Sequence, residues 1–225
     1  MNNYIFDLDG TLLATLDDLA ASTNFALRAV GLPERTTDEV RRFMGNGVRL
    51  LMERAVPDGA VNPKFDDAFA AFRRHYLEHS LDTTRPYDGV PEMLKELRKR
   101  GRRIAVASNK LYEATESLCR HFFADTVEVA IGERAGIRKK PAPDTVVEAM
   151  RRLEIGEEGT VYVGDSDVDI ATARACHLPC ISVLWGFRDR DFLEAHGATR
   201  FVCSPQDILE IDALEAEKAA KKGRG

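Results

Sequence analysis

Asp7-Leu8-Asp9-Gly10-Thr11 directly follows the short apolar run Tyr4-Ile5-Phe6, so two carboxylates lie two residues apart where a strand is predicted to end. In an extended segment, residues i and i+2 point to the same side. Gly10 allows a sharp backbone turn, and Thr11 adds a hydroxyl nearby. Ligands of open α/β sheets bind outside the carboxyl ends of the strands, so the two acids are candidates for one ligand site. Taken alone, this stretch marks a simple turn about as often as a catalytic loop.

A second strand, Ile104-Ala105-Val106-Ala107, leads into Ser108-Asn109-Lys110 and then into a stretch with helical character. Ser108 or Asn109 is predicted to cap that helix. The free N–H groups and the positive dipole end of a helix start suit a phosphate, to which Ser108 would add a hydroxyl donor. A capping role alone is equally open for Ser108.

A third element is the loop Lys139-Lys140-Pro141-Ala142-Pro143-Asp144. Its prolines stiffen the chain before an amphipathic helix and allow one lysine to be held inward. Without the other motifs, the lysine pair would be assigned to solvated surface charge.

The fourth element, Gly164-Asp165-Ser166-Asp167-Val168-Asp169, follows the strand Val161-Tyr162-Val163 and places three acids within five residues. Such a cluster indicates a metal site. An EF-hand loop needs Gly at its sixth position and Glu at its twelfth, where this chain has Ile170 and Cys176. A calcium loop of that type is therefore excluded.

In this order, the four elements resemble the haloacid dehalogenase superfamily, in its aspartate-nucleophile phosphatase branch, and most closely the phosphoglycolate phosphatases and their relatives. The resemblance covers nearly the whole chain, because residues 180–187 and His196-Gly197-Ala198 also look like that family's closing segments. It implies an α/β fold, with a Rossmann-like parallel-sheet core and a small inserted α-helical cap domain.

The composition agrees with an enzyme of this kind. The chain has 225 residues and a net charge of −5, which gives no general attraction to nucleic acid. No apolar run is long enough for a membrane span, and no secretory signal is visible. The cysteines form neither a CxxC pair nor a disulfide framework, so the expected location is the cytoplasm. We expect a small phosphorylated metabolite as partner, with no nucleic acid and no membrane.

Between the first two motifs, the apolar spacing changes from strands to four short helices, which predicts an inserted bundle. Alternation of strands and helices then resumes, with short strands at 127–131, 160–164, 180–184 and 200–203. The predicted domains are a core of residues 1–13 and 86–225, a cap of residues 14–85, and a disordered tail at 218–225. The hinges are expected near residues 12–16 and 81–88.

Within the cap, Gly45-Asn46-Gly47-Val48-Arg49 resembles the family's substrate-facing segment. Arg49 is a candidate ligand for a substrate carboxylate or second phosphate, since its planar fork suits both. A solvated helix charge is an equally open interpretation. Many relatives carry an acid followed by Ser or Thr where this chain has Ala14-Thr15, which places the hinge-side contacts in question.

The resemblance also implies a mechanism. Asp7 would attack phosphorus and become an aspartyl phosphate, and Asp9 would protonate the leaving alkoxide and later accept a proton from water. Like-charge repulsion of roughly 4 kcal/mol per unit pair at about 4 Å and a dielectric of about 20 opposes this attack. Mg²⁺ would offset it, held by Asp7, Asp165 and the backbone carbonyl of Asp9, with Asp169 acting directly or through water. Asp167 is assigned to the surface.

The transferring oxygens would be held by hydroxyl, ammonium and backbone donors around the same point. The implied phosphate-binding residues are Leu8, Asp9 and Asn109 through their N–H groups, with Thr11, Ser108 and Lys140.

Several other activities were weighed. A carbon–halogen hydrolase of this fold would need neither a second acid nor Mg²⁺. A phosphonatase-like enzyme would need a Schiff-base lysine in the first cap helix, which has Arg28 and no lysine; Lys64 lies elsewhere in the cap. A sugar phosphomutase keeps both acids and stays open as the main alternative, as does a phosphatase for another sugar phosphate, a nucleotide or pyrophosphate.

Two alternatives come from other classes. A binding module that had lost turnover should lack an acid or the lysine, and none is missing. The string His75-Tyr76-Leu77-Glu78-His79 matches an inverzincin metalloprotease pattern, but it falls on the last cap helix and is assigned to that helix's surface.

Overall fold

Six strands form one sheet within residues 1–222, the part of the chain that the computed structural model describes, and neighbouring strands in it are parallel. Two further strands of two residues each pair with each other in antiparallel orientation. The strands are β1 (Asn3–Phe6), β2 (Leu13–Ala14), β3 (Arg85–Pro86), β4 (Arg103–Leu111), β5 (Val129–Glu133), β6 (Thr160–Gly164), β7 (Cys180–Val183) and β8 (Phe201–Val202).

The strand order β5-β4-β1-β6-β7-β8 places β1 in the centre of the sheet. Phe6, the last residue of β1, lies opposite Val106 of β4 and Val163 of β6. All three strands are buried, as expected for parallel strands covered by helices on both faces. Their motifs therefore emerge at one edge of the sheet, called the strand-tip edge below. The predicted α/β fold with a Rossmann-like parallel sheet is confirmed.

Ten α-helices are found within the described residues, together with a 3₁₀ turn at Gly59–Val61. None of the helices in residues 1–222 combines the length and the apolar composition needed to cross a membrane. The helices are α1 (Leu16–Ala29), α2 (Thr37–Phe43), α3 (Val48–Ala55), α4 (Phe65–His79), α5 (Val90–Lys99), α6 (Tyr112–Phe123), α7 (Asp144–Leu153), α8 (Asp167–Ala175), α9 (Arg190–Ala195) and α10 (Pro205–Lys222).

Helices α1 to α4 supply most of an apolar cluster that is separate from the one around β1 and that also includes Leu111, Ala114 and Phe187. Fully buried aromatic side chains of α4, such as Phe72 and Tyr76, lie in this cluster. Thr36 and Glu39 form a capping box at the start of α2, as their spacing predicts. We call the segment between β2 and β3 the cap. The predicted boundaries at 13/14 and 85/86 fall within the β2–β3 ribbon, and the division into domains stays a prediction.

Two local predictions need correction. Strand β4 continues to Leu111, which pairs with Glu133 beyond an irregularity in register, and α6 begins only at Tyr112. Ser108 and Asn109 therefore lie in the strand and do not cap the helix. A disordered tail was expected from residue 218, but α10 continues through Lys222, because Ala, Lys and Glu all favour helix. Residues 223–225 of that predicted tail lie outside the described residues.

Candidate active site

The strand-tip edge and the cap enclose a small cavity with a volume of about 40 Å³. Asp7 and Asp9 reach it from the loop after β1, Ser108 and Lys110 from the end of β4, and Asp165 from the loop after β6. Because the carboxyl ends of parallel strands meet at one edge, residues more than 150 positions apart in sequence converge here. The four sequence elements thus form one site.

Three carboxylates form its centre. Asp7, Asp165 and Asp169 each place one oxygen within 4.8 Å of the others. Burial and the charge of Asp169 raise the pKa of Asp7 to about 7, and burial and the same neighbour raise the pKa of Asp165 well above its usual range. Buried acids this close together need a positive charge between them, and oxygen donors suit a hard divalent cation. The residues fit such an ion.

Lys140 supplies a fixed positive charge beside these acids. Its Nζ lies 2.9 Å from Asp7 Oδ1 and 2.8 Å from Asp169 Oδ1, and it donates to the Tyr162 hydroxyl at 2.9 Å. Burial alone would lower the pKa of Lys140, but the charges of Asp169 and Asp7 outweigh it and raise that pKa above the ordinary value. The lysine is therefore charged, and it points inward as its loop predicts.

Asp169 is fully bonded within the protein. Its Oδ1 accepts from Lys140 and Tyr162, and its Oδ2 accepts from the N–H groups of Asp165 and Ser166 and from the Ser166 hydroxyl. A metal ion bound directly would have to displace some of these donors. The bonds favour the indirect of the two roles predicted for Asp169, in which it acts through water and holds Lys140 in place.

Asp165 is held from two sides. Its Oδ1 accepts from the Thr11 hydroxyl at 3.3 Å, and its Oδ2 accepts from the Phe187 N–H at 2.7 Å. A Cβ atom at Gly10 would lie 2.4 Å from Asp165 Oδ2, and one at Gly186 would lie 2.3 Å from Asp165 Cβ. Both glycines leave the space that this carboxylate occupies. Thr11, predicted to bind phosphate, turns its hydroxyl toward Asp165 instead.

The other predicted phosphate-binding residues divide into two groups. Asn109 accepts from the Lys140 N–H at 2.7 Å and donates to the Lys140 carbonyl at 3.0 Å, so its amide holds the lysine loop. The Leu8 N–H donates to Asp7 Oδ1 at 2.7 Å. Ser108 lines the cavity, and its Oγ accepts from the Lys110 N–H at 3.2 Å. The Ser108 hydroxyl can still donate to a ligand, whereas the Leu8 N–H is engaged with Asp7. The bonds of Asn109 described here belong to its side chain, and the phosphate-binding role of its backbone N–H stays a prediction.

The predicted substrate-facing segment of the cap is only partly placed at the cavity. Gly45 and Gly47 line it, with φ values of +110° and +84° that favour glycine. Asn46 lies in a separate groove beside Arg41.

Arg49 is not among the residues that line the cavity, and its role in substrate binding stays a prediction. Its side chain is 50% exposed, its Nε lies 3.0 Å from Glu53, and its guanidinium lies 5.1 Å from the ring centroid of Phe65. The helical spacing of Val48 and Leu51 explains this: they form the inner face of α3, and Arg49 is rotated about 100° away from Val48.

Two cations at the cavity escaped the sequence analysis. Lys110 Nζ lies 2.8 Å from Asp9 Oδ1 and also contacts the hydroxyl of Tyr76 in the cap. Lys110 lies two residues after Ser108 in an extended segment, so the two side chains point to the same side, and this spacing could have predicted that Lys110 reaches the cavity.

Arg188, in the loop after β7, donates to the carbonyls of Arg41 and Arg42, each at 3.3 Å, and of Met44 at 2.9 Å. It therefore joins the core to the cap at the cavity rim. No local pattern announces this contact, because its partners are about 145 residues distant in sequence.

The two histidines of the inverzincin-like string stack on each other with ring centroids 4.2 Å apart, and each also has a polar partner of its own. His75 Nδ1 lies 3.0 Å from the Ser22 hydroxyl, and its ring stacks on Phe25 with centroids 4.1 Å apart. His79 Nδ1 lies 2.7 Å from Asp82. These contacts favour a place for the two histidines on the partly exposed face of a cap helix, whereas Tyr76 of the same string is buried, which corrects its assignment to the surface.

Comparison with known proteins follows this geometry. The family model of haloacid dehalogenase-like hydrolases matches residues 4–183. The chain belongs to this family. A phosphoglycolate phosphatase of Mesorhizobium japonicum is 34% identical over 223 residues, covering 94% of each chain. An N-acetylmuramic acid 6-phosphate phosphatase of Pseudomonas aeruginosa is 29% identical and covers 92% of each.

A solved structure from Lactobacillus delbrueckii subsp. bulgaricus, whose name proposes phosphoglycolate phosphatase activity, superposes with a TM-score of 0.89. It is 33% identical, and the match covers 94% of this chain and 98% of that one. The predicted phosphatase of the haloacid dehalogenase superfamily is thereby confirmed, and the chain is a hydrolase of this type.

Proposed function

We propose that this phosphatase is Mg²⁺-dependent and hydrolyses a small phosphorylated carboxylic acid through an aspartyl phosphate on Asp7, with phosphoglycolate as the best candidate substrate. The observation that carries the proposal is the buried cluster of Asp7, Asp165 and Asp169 with Lys140 beside it. Such a cluster can hold one cation and one phosphate in contact with a carboxylate nucleophile.

In the first half-reaction, Asp7 attacks phosphorus and the bond to the leaving oxygen breaks. Oδ1 of Asp7 is held by Lys140 and by the Leu8 N–H, which leaves Oδ2 for the attack. Asp9 gives its proton to the leaving alkoxide. The Ser108 hydroxyl donates to one phosphoryl oxygen, and Lys140 donates to another with the N–H group that contacts Asp7 before the attack. A Mg²⁺ held by Asp7, Asp165 and the Asp9 carbonyl would supply the charge that offsets repulsion between carboxylate and phosphate.

In the second half-reaction, water attacks the aspartyl phosphate and Asp9 takes up a proton from that water. Inorganic phosphate leaves and Asp7 is regenerated, so the same acid serves both steps in opposite directions. Lys140 stays paired with Asp169 throughout, which keeps it in place while the charge on Asp7 changes.

The proposed substrate class rests on the cavity and on the relatives. The names of the two relatives both denote phosphorylated acids, so a carboxylate is the shared second group. Arg188 lies at the cavity rim, where its guanidinium could bind that carboxylate in place of Arg49. Its Nε has no hydrogen-bond partner within the described residues, and the nearest acid, Asp167, lies 4.0 Å away, so this donor could turn to a substrate carboxylate.

The test is phosphate release from a panel of phosphorylated metabolites, with Mg²⁺ or with EDTA, by the wild type and by Asp7→Asn. We expect Mg²⁺-dependent release that favours phosphoglycolate and falls by at least about 10³-fold in Asp7→Asn. Asp125→Asn is the control, because Asp125 is an exposed acid that lies outside the carboxylate cluster. It should keep most of the activity.

Equal rates on phosphoglycolate and on neutral sugar phosphates would refute the substrate assignment but not the reaction. Release that is insensitive to EDTA would refute the metal requirement. A folded protein that releases phosphate from nothing, yet converts one sugar phosphate into its isomer, would be a mutase.

A further inference from the structure

Lys110 is a buried cation at the strand-tip edge, and the reaction proposed above gives it no role. Its side chain is only 1% exposed. Its Nζ donates to Asp9 Oδ1 at 2.8 Å and to the hydroxyl of Tyr76, and it lies 4.7 Å from the centroid of the Tyr76 ring. Asp9 belongs to the core and Tyr76 to α4 of the cap. The lysine therefore joins the proposed proton donor to the cap.

The contact with Asp9 fixes one carboxylate oxygen and leaves the other available. Within residues 1–222, Asp9 Oδ1 accepts from Lys110, whereas Oδ2 has no protein donor. Asp9 also lines the cavity. A carboxylate without a partner can rotate about its side-chain bonds, and a hydrogen bond to a charged group restrains that rotation more strongly than a neutral one. Lys110 thus sets the direction in which Oδ2 points.

The contact with Tyr76 fixes the lysine. Tyr76 is fully buried, and its ring stacks on Phe72 with centroids 5.5 Å apart, so the hydroxyl has a defined position. Burial raises the pKa of Tyr76 to about 12 against the opposing charge of Lys110, which keeps the phenol neutral and able to accept from the ammonium. A flexible four-carbon side chain is thereby held at its tip by one group from each side of the cavity.

We propose that Lys110 is a positioning residue for Asp9, and that Tyr76 of the cap holds Lys110 in the orientation that this task requires. The inference rests on the proposed function, in which Asp9 is the proton donor. It implies that proton donation is fully efficient only while the cap is seated on the core, because lifting α4 removes the Tyr76 contact from Lys110.

The test compares kcat/KM for two leaving groups. An alkyl phosphate such as phosphoglycolate needs a proton on the departing oxygen, whereas p-nitrophenyl phosphate releases a weakly basic phenolate that needs almost none. We expect Tyr76→Phe to lower kcat/KM about tenfold for phosphoglycolate and less than about twofold for p-nitrophenyl phosphate. Lys110→Met should lower kcat/KM further, by about 100-fold for phosphoglycolate and by about threefold for p-nitrophenyl phosphate. Lys110→Arg should have a higher kcat/KM for phosphoglycolate than Lys110→Met has.

Two controls separate positioning from general damage. Tyr4→Phe removes another buried hydroxyl, one that donates to Asp212 at 2.9 Å, and should leave the ratio of the two kcat/KM values unchanged. In an Asp9→Asn background, Tyr76→Phe should change the ratio no further, because the group through which it acts has already been removed.

Equal losses on both substrates would mean that Lys110 and Tyr76 only support the fold, and the inference would be wrong. An unchanged ratio in Tyr76→Phe would also overturn it, and this variant decides the matter if Lys110→Met does not fold. If the wild type releases no phosphate from either substrate, the proposed function itself fails. An active wild type with an unaltered ratio in the variants refutes the positioning role alone.

Discussion

The two sides of the cavity are built differently. On the core side, charged groups are held by short contacts: Lys140 with Asp7 and Asp169, and Lys110 with Asp9, all at 2.8–2.9 Å. On the cap side, the cavity is lined mainly by glycine backbone and apolar side chains. The contrast indicates that the core fixes the charged groups of the site, whereas the cap shapes the apolar space beside them.

The largest expected effect tests the core side. Lys140→Met would leave three neighbouring carboxylates without their buried cation, so we expect activity to fall by more than about 10³-fold and the unfolding free energy in EDTA to fall by about 3–5 kcal/mol. Phosphate release and urea denaturation measure the two quantities. Lys139→Met, one residue earlier, should stay within about 0.5 kcal/mol of the wild type. Similar losses in both variants would mean that the loop, and not the Lys140 charge, is required.

The next effect compares two arginines. Arg188→Gln should raise KM for phosphoglycolate about 30-fold while changing KM for ethyl phosphate about threefold, because only the former carries a carboxylate to bind. Arg49→Gln removes a guanidinium that turns away from the cavity and should change both KM values less than about twofold. Steady-state kinetics gives KM for each of the two variants on each of the two substrates. A larger effect from Arg49 would restore the role that its sequence position predicts and would remove Arg188 from recognition.

A third prediction concerns the attachment of the cap. Buried Asp18, at the start of α1, accepts from the N–H groups of Thr83 and Thr84 close to β3. Asp18→Ala would leave both donors without this partner, so we expect the unfolding free energy to fall by about 2 kcal/mol. The neighbouring exposed acid provides the control, and Asp17→Ala should cost less than about 0.5 kcal/mol. Denaturant titration measures the unfolding free energy of both variants. Equal losses in the two would show that the contacts of Asp18 contribute nothing specific.

The smallest effect tests how closely the cap approaches the core. A Cβ at Gly47 would lie 3.2 Å from the Asn109 carbonyl oxygen, whereas one at Gly136 would meet nothing within 4 Å. Both glycines have positive φ, so alanine strains the backbone by about 1 kcal/mol at either site. Gly47→Ala alone should also raise KM, by about three- to tenfold, because it hinders seating of the cap. KM changes of the same size in Gly136→Ala would attribute the effect to backbone strain.

The sequence predicts the core side well because its information is local. An apolar run ends, acids follow two residues apart, and parallel strands bring such ends to one edge; Asp7, Asp9 and Asp165 are found there. Lys140 is recognised from its stiff loop only together with these motifs, because a lysine pair alone would be assigned to surface charge. The positions of these residues follow from where a strand ends and which turn comes after it, and both can be predicted from a few consecutive residues.

The cap side depends on information that lies outside any short stretch. Two interpretations of Arg49 were left open by its motif, and the apolar spacing of α3 favours the one in which it is a helix charge outside the cavity. Ser108 was taken for a helix cap because pairing of Leu111 with Glu133 extends the strand, and this pairing is tertiary. The contact of Arg188 with the cap follows from the final docking of two segments, which local patterns do not encode.

The size of the cavity has a consequence for timing. A volume of about 40 Å³ has room for about three water molecules. A phosphorylated metabolite is larger than this space, so we expect each turnover to include a departure of the cap from its seat and a return to it. The number of molecules processed per second would then be bounded by the frequency of that motion, and a faster chemical step would leave this upper limit unchanged.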